Sequence, residues 1–334
     1  MKVTIVDIAE DTGLSLSTVS KYLNHKNVLP ENKEAIENSI RKLGYTPNRI
    51  AQSLRSKSSH TVAFLMPSSL DEFWGRMITH IETVLRKEGY KSIIYYYSMD
   101  SGQQVRLANT LLNNKVDGVI AISSYYFNQA FSILCDSEIP VILIDQVDHS
   151  LKADFITSDN YRGGYLAGRY LADHHHERIG FVAGLSYGYT IKERTRGFLD
   201  ALKDAGVQSN PEYFSYQISS EEEGGKRTEN LLRLPVPPTA LCFFSRSLCI
   251  DGFQKIRELG IKMPGQLSVI GFDDDLIFPV IDPPLTVISQ DFQIIGSQAA
   301  TLLLERIRGN RDDFPARILT PVKLVERESV KFLR

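Results

Sequence analysis

Long apolar runs are missing from this chain. None approaches the roughly 18 residues that a membrane helix needs, and no apolar leader precedes the first structured segment, so a cytoplasmic protein without a membrane partner is expected. Cysteine is scarce: Cys135, Cys242 and Cys249 make an odd count without metal-ligand spacing, which excludes a disulfide framework and a zinc module and leaves inert packing thiols. No Gly-rich phosphate loop, HExxH or GxSxG is present, so no catalytic residues, metal or cofactor are expected and the chain does not read as an enzyme. His174, His175 and His176 follow an amphipathic stretch and read as a solvated helix end; Glu221 to Glu223 read as an exposed helix start. Net charge is only −2, which by itself would not suggest nucleic acid. The distribution does: residues 1–60 carry nine Lys/Arg against six Asp/Glu, and the remainder 29 against 34. A weakly basic head on an acidic body suits a protein that meets phosphate at one end, and so modest a charge suggests that two heads act together.

What is present begins with VTIVDIAEDTGLSLSTVSKYLN. Thr4 followed by Asp7 is a capping pair at a helix start. Ile5, Ile8 and Ala9 share one face of that helix, and Gly13 permits a sharp corner. Ser15 caps a second helix whose Val19 and Leu23 point back at the first. This is helix-turn-helix spacing, and the second helix of such a pair normally enters the DNA major groove. A third helix, from Glu31 to Leu43 with Pro30 at its start, offers Ala35, Ile36, Ile40 and Leu43 to close a small core. Gly44 ends it. Residues 48–55 have helical spacing, but Ile50, Ala51 and Leu54 are too few apolar residues to bury a core, and so short a helix is unstable alone. It makes sense as a segment that folds on a partner.

The body, from residue 61, alternates strand-like apolar runs with amphipathic stretches. VAFLM, IIYYY, DGVIAI and PVILID form one series; RIGFVAG, TALCFF, LSVIGF and LTVIS form a second. Such alternation predicts parallel sheets covered by helices on both faces. Two series predict two similar lobes with a ligand between them, at the carboxyl ends of the strands.

Together with YTPNRIAQSL, VDGVI, LSVIGFDDD and DPPLTVISQ, these motifs resemble the lac repressor/galactose repressor family of bacterial transcription regulators, roughly from Val3 to Ser329. The resemblance implies an α/β protein: an all-α helix-turn-helix headpiece (1–45), a hinge helix and linker (46–60), and a two-lobed periplasmic-binding-protein-like core with parallel sheets (61–334). The first lobe is expected at about 61–160 plus 291–320 and the second at about 161–290 plus 321–334, with crossovers near 158–162, 288–292 and 318–322. It also implies a homodimer on pseudo-palindromic double-stranded operator DNA, most simply a repressor of a carbohydrate-utilisation operon. Control would come from a sugar or sugar phosphate in the interlobe cleft. A rival within regulation is a global catabolite regulator controlled by a phosphorylated protein partner. The chain ends soon after its last strand without a heptad tail, so a terminal coiled-coil tetramer is not expected.

At the matching positions, Leu16, Ser17 and Lys21 read base edges; Thr4, Ser15, Thr18, Ser20 and Asn24 are candidate phosphate contacts through hydroxyls, an amide and helix amino termini. Asn48 and Ala51 follow in the hinge, where Leu54 wedges into the central base step from the minor groove. Lys21 departs from the arginine more usual in the family, and lysine lacks the guanidinium fork for paired recognition of guanine. For the effector, Arg194 in KERTRGF and Asp273 in GFDDD match the family's ligand-binding arginine and acidic residue. Phe73 and Trp74, the single tryptophan, occupy the cleft mouth. Asp145, Gln290 and Phe292 fall at strand ends or crossovers. After TALCFF the family usually carries Asn-Asp; here stand Ser245 and Arg246. Beside Arg194, Arg246 would favour a phosphorylated or acidic ligand; turned outward, it would meet a helix or the partner subunit.

Overall fold

In a computed structural model of the chain, residues 3–23, 27–45, 58–67, 72–97, 100–122, 128–145, 147–186, 188–217 and 224–333 are described. They belong to two compact units, Met1–Ser59 and His60–Arg334.

The first unit holds three helices, α1 (Ile5–Thr12), α2 (Leu16–Leu23) and α3 (Pro30–Leu43). Both the backbone N–H and the hydroxyl of Thr4 donate to Asp7 Oδ2, at 2.7 and 2.8 Å, and these bonds hold the Asp7 carboxyl below its usual pKa. Gly13 and Gly44 end α1 and α3 in the left-handed conformation that glycine adopts without a Cβ penalty, at φ 66° and 64°. Ile8, Val19 and Ile36, one from each helix, are fully buried, with Ile5, Leu23, Ile40 and Leu43 packed around them. Tyr22 donates to Glu37 at 2.8 Å and ties α2 to α3. The predicted hinge helix, 48–55, lies outside the described residues.

In the second unit, one sheet has the order β11-β5-β4-β3-β1-β2. Its strands are β1 (Thr61–Pro67), β2 (Lys91–Tyr97), β3 (Gly118–Ile122), β4 (Val141–Ile144), β5 (Asp154–Ser158) and β11 (Arg317–Thr320), all parallel. Helices α4 (Glu72–Lys87), α5 (Ser101–Asn113), α6 (Asn128–Cys135) and α11 (Phe292–Ile307) belong to the same lobe. The inner strands are buried along their whole length, which is why GVIAI and VILI are continuous apolar runs rather than alternating ones. The second sheet has the order β12-β10-β9-β8-β6-β7. It comprises β6 (Ile179–Leu185), β7 (Phe214–Gln217), β8 (Ala240–Phe243), β9 (Ser268–Phe272), β10 (Thr286–Gln290) and β12 (Val322–Val325). With it run α7 (Asn160–Asp173), α8 (Tyr189–Asp204), α9 (Gly224–Leu232) and α10 (Arg246–Glu258).

The chain passes between lobes three times: from β5 into α7, from β10 into α11, and through Pro321 between β11 and β12. The last passage brings one departure from all-parallel sheets, because β12 runs antiparallel to β10. The other strands run toward the crossings. A strand that continues straight out of one lobe must run away from them in the next.

Helices α7 and α8 touch backbone to backbone. A Cβ on Gly164 would lie 1.9 Å from the Arg194 carbonyl oxygen, and one on Gly197 2.0 Å from that of Tyr161. The contact leaves Arg194 buried on the inner face of α8. The three histidines correct the expectation of a solvated helix end. His174 does cap α7, but His176 is fully buried. Its Nδ1 meets Thr239 Oγ1 at 2.9 Å and its Nε2 the Lys331 carbonyl oxygen at 3.2 Å. The returning C-terminal segment covers it, and this burial pushes its pKa down from 6.5 to about 4.

Two predictions follow from this packing. Gly164→Ala and Gly197→Ala should each lower stability by about 1–3 kcal/mol or more, as overpacking does, whereas Gly75→Ala, with open space around its Cβ position, should not; denaturant melts compare the three. For His176, the unfolded chain takes up a proton more readily than the folded one. Stability is therefore complete above pH 6.5 and falls as pH drops toward about 4, and His176→Gln should flatten that part of the stability–pH curve.

Candidate functional site

Helix α2 buries Val19 while exposing Leu16, Ser17 and Lys21 along its outer face. An exposed leucine at the start of a helix, beside a serine and a lysine, has no packing role in this unit and suits contact with base edges. Ser15 Oγ accepts from the Thr18 N–H at 3.1 Å and meets the Thr18 hydroxyl at 2.9 Å. Thr4, Ser15 and Thr18 thus serve the helix starts, which are also where backbone N–H groups meet phosphate. Ser20 is half-buried. Asn24, Asn48, Ala51 and Leu54 lie outside the described residues.

In the second unit, a cavity of about 180 Å³ opens between the lobes. Trp74 and Asp145 come to it from the first lobe, and Arg194, Ser245, Arg246, Asp273 and Gln290 from the second. All are residues singled out in the sequence, separated by up to 216 positions. Phe73 is the second residue of α4, and its side chain lies outside the described residues. Phe292 is a correction. It packs into the first lobe's core near Ile295, beneath the Arg76 guanidinium, and does not line this cavity. Sequence reasoning missed Thr190 and Ile191, which line the cavity one turn before Arg194 on the same helix face, Phe244, which ends the TALCFF run, and Ser247. Their spacing to Arg194 and Ser245 was the available signal.

Two hydrogen-bond chains hold the walls. Arg194 donates from Nε to Asn160 Oδ1 at 2.8 Å and from Nη1 to the Phe244 carbonyl oxygen at 2.5 Å, with its guanidinium 4.2 Å from the centroid of the Phe272 ring. Asn160 in turn donates to Thr157 Oγ1 at 3.1 Å, and Thr157 donates to the Asp145 carbonyl oxygen at 2.7 Å. In the other chain, Ser158 donates to Gln290 Oε1, and Gln290 Nε2 donates to Asp273 Oδ1. Asp145 and Asp273 each follow a strand end and each adopts positive φ, 79° and 68°. Such backbone is uncommon for a residue with a side chain and is often found where a site demands it.

Arg246 shares the cavity with Arg194, the first of the two positions foreseen for it. It lines the cavity but is ion-paired with Asp275 in its own lobe. Burial acts to raise the Asp275 pKa. The Ile277 N–H, the Arg246 guanidinium and the charge of Arg76 outweigh burial and hold it below the usual carboxylate range. The cysteines stand apart: burial pushes the Cys135 thiol up to about 12, and Cys242 and Cys249, both fully buried, well above their ordinary value. Among the described residues, no group of three or more His, Cys, Asp or Glu side chains is placed to hold a metal, and no helix is long and apolar enough to cross a membrane.

Comparison with known proteins agrees along the whole chain. Residues 4–48 match the profile for bacterial regulatory proteins of the lacI family, residues 62–245 a periplasmic binding protein domain, and residues 169–330 a periplasmic binding protein-like domain. The chain is 30% identical over 329 residues to the HTH-type transcriptional repressor PurR of Aliivibrio salmonicida, covering 98% of each chain. It is also 30% identical over 333 residues to the HTH-type transcriptional regulator DegA of Bacillus subtilis, again covering 98% of each. Among solved structures, a transcriptional regulator CelR–cellobiose complex superposes with a TM-score of 0.73 at 25% identity, over 98% of this chain and all of that one. The lac repressor dimer bound to operator and the anti-inducer ONPF shares the fold, with a TM-score of 0.85 at 23% identity over 99% and 100% of the two chains. These relatives are regulators rather than enzymes, and the head and core follow one another here as they do in them. The chain belongs to the lacI family of bacterial regulatory proteins and is a DNA-binding transcriptional regulator with a binding-protein-like core.

Proposed function

We propose that this regulator is a homodimeric repressor of a carbohydrate-utilisation operon, and that an uncharged sugar in the interlobe cleft controls its hold on a pseudo-palindromic operator. The observation that carries the choice of ligand is the Arg246–Asp275 pair. It neutralises the cation that would otherwise call for a phosphate. The cleft is left with Arg194, Asp145, Asp273 and Gln290 to exchange hydrogen bonds with hydroxyls and Trp74 to cover an apolar sugar face. Unpaired polar partners in such a site are penalised, which gives it specificity. The cellobiose in the CelR complex supports the same ligand class.

On DNA, Leu16 would meet a thymine methyl, Ser17 a base edge and Lys21 a guanine, with Thr4, Ser15, Thr18, Ser20 and Asn24 on phosphates. Asn48, Ala51 and Leu54 would enter the minor groove at the centre of the site, where a leucine wedge costs a few kcal/mol of unstacking, offset by the contacts that bending permits. A second copy has a surface to use: β2 is an edge strand with Ile93, Ile94 and Tyr96 exposed, and Leu276 and Val280 in the second lobe are 66% and 78% exposed. Closure of the lobes on a ligand would change whether paired hinges can form, a coupling typically worth about 1–3 kcal/mol.

Thermal shift of the purified protein against neutral sugars, sugar phosphates and nucleobases tests the ligand class. Neutral sugars should raise the melting point and sugar phosphates should not. Asp275→Asn should release Arg246 and strengthen sugar-phosphate binding by about tenfold, roughly 1.4 kcal/mol. Hits from nucleobases alone would overturn the sugar reading, and hits from no small molecule would favour the phosphorylated protein partner. For the wedge, Leu54→Ala should lower operator affinity while leaving salt-dependent nonspecific binding intact; an unchanged ratio of the two in filter binding would refute it.

A further inference from the structure

A second cavity, of about 490 Å³, lies at the passages between the lobes, and Gln290 is the one lining residue it shares with the effector cleft. Its basic side chains come from both lobes: the Arg76 guanidinium and the His80 imidazole from α4, and the Lys323 ammonium from β12. Phe292 and Gln293, in the first turn of the 16-residue α11, also line it and bring the positive end of that helix. Two carboxylates face the same space, and both are engaged. Asp291 caps α11 by accepting from the Ile294 N–H at 3.0 Å. Asp274 accepts from Arg327 Nη2 at 2.9 Å through Oδ2. Its other oxygen, Oδ1, is buried with no hydrogen-bond partner among the described residues. Arg76 lies over the Phe292 ring and also feels the charge of Asp275. Lys323 is exposed and forms no ion pair among the described residues.

We propose that this cavity is a second ligand site, for a small anionic metabolite carrying a phosphate or carboxylate. The anionic group sits between Arg76 and Lys323, where charge-assisted hydrogen bonds are strong. Because its cations come from both lobes, an occupant bridges them and favours one arrangement of the lobes over others. This site is separate from the sugar cleft and does not depend on what the cleft binds.

Isothermal titration of the full chain with inorganic phosphate, glycerol 3-phosphate and glycerate tests it. At least one of the three should bind, and the strength of glycerol 3-phosphate against glycerate tells phosphate from carboxylate as the preferred anion. Lys323→Gln and Arg76→Gln should each weaken binding by about tenfold or more. Lys323 is exposed on an edge strand, so Lys323→Gln should keep the wild-type melting point, and a loss of binding there reports on the site rather than on folding. Absence of binding by all three probes, or binding indifferent to both substitutions, overturns the proposal. So does binding lost through Arg246→Gln instead, which would put the anion in the cleft.

Discussion

The hydrogen-bond chain from Ser158 through Gln290 to Asp273 is the constraint around which the core is organised. Ser158 is the last residue of β5, where the chain first leaves the first lobe, and Gln290 the last of β10, where it returns. The covalent hinge and one wall of the cleft are therefore the same residues. A parallel chain, Arg194 to Asn160 to Thr157 to the Asp145 carbonyl, crosses the same boundary a few residues away. Buried polar chains of this kind keep their value only while every member is satisfied. A sugar hydroxyl that displaced any one bond would disturb the partners of a residue that also sets the angle between the lobes. Ligand recognition and lobe movement are then difficult to separate, which is the physical requirement for an allosteric regulator.

Rigidity elsewhere makes that local sensitivity useful. The α7–α8 contact leaves no room for a methyl group at Gly164 or Gly197, so Arg194 is presented by a helix pair that cannot slide without breaking contact. Fixed walls on one side and a satisfied but exchangeable network on the other would confine a ligand-driven response to the hinge. The positive φ of Asp145 and Asp273, at matching strand ends in the two lobes, fits the same division. Each carboxylate is held at a mouth of the cleft by backbone that the packed strand behind it imposes.

How much was legible in the sequence depends on how local each signal was. The three head helices could be read because caps, glycines and apolar spacing all act within a few residues, and the inner strands because burial on both faces turns them into uninterrupted apolar runs. The crossings came from the family resemblance rather than from a local signal, and β5, β10 and β11 end beside them. Three features were hidden. Arg246 finds Asp275 across 29 residues through two adjacent strands, so its side chain gave no sign of being neutralised. The His176 ring is buried by a segment 155 residues away, which makes a run of three histidines look like a solvated end. Phe292 starts a helix at a crossing, and which side of the crossing its ring occupies depends on the packing of α4 against α11. The antiparallel β12 was within reach: one proline between two strands leaves no room for a helix to reverse direction.

The departure at Ser245 and Arg246 alters the donors and acceptors that a ligand would meet at this strand end. The family's usual Asn-Asp supplies acceptors from the strand end itself. Here Arg246 places a cation there, and Asp275, the third of three successive aspartates, returns the charge to balance. Arg246 and Asp275 cancel one another within their pair, while the pattern of donors and acceptors at the strand end is redrawn. The hinge cavity has a different balance: its two carboxylates already have donors, and its lysine has no ion-pair partner among the described residues. With Gln290 facing both spaces, occupancy of one would alter the hydrogen bonds available to the other. Any such coupling must be reciprocal in free energy, so an anion that favours sugar binding would itself be held more tightly when the sugar is present.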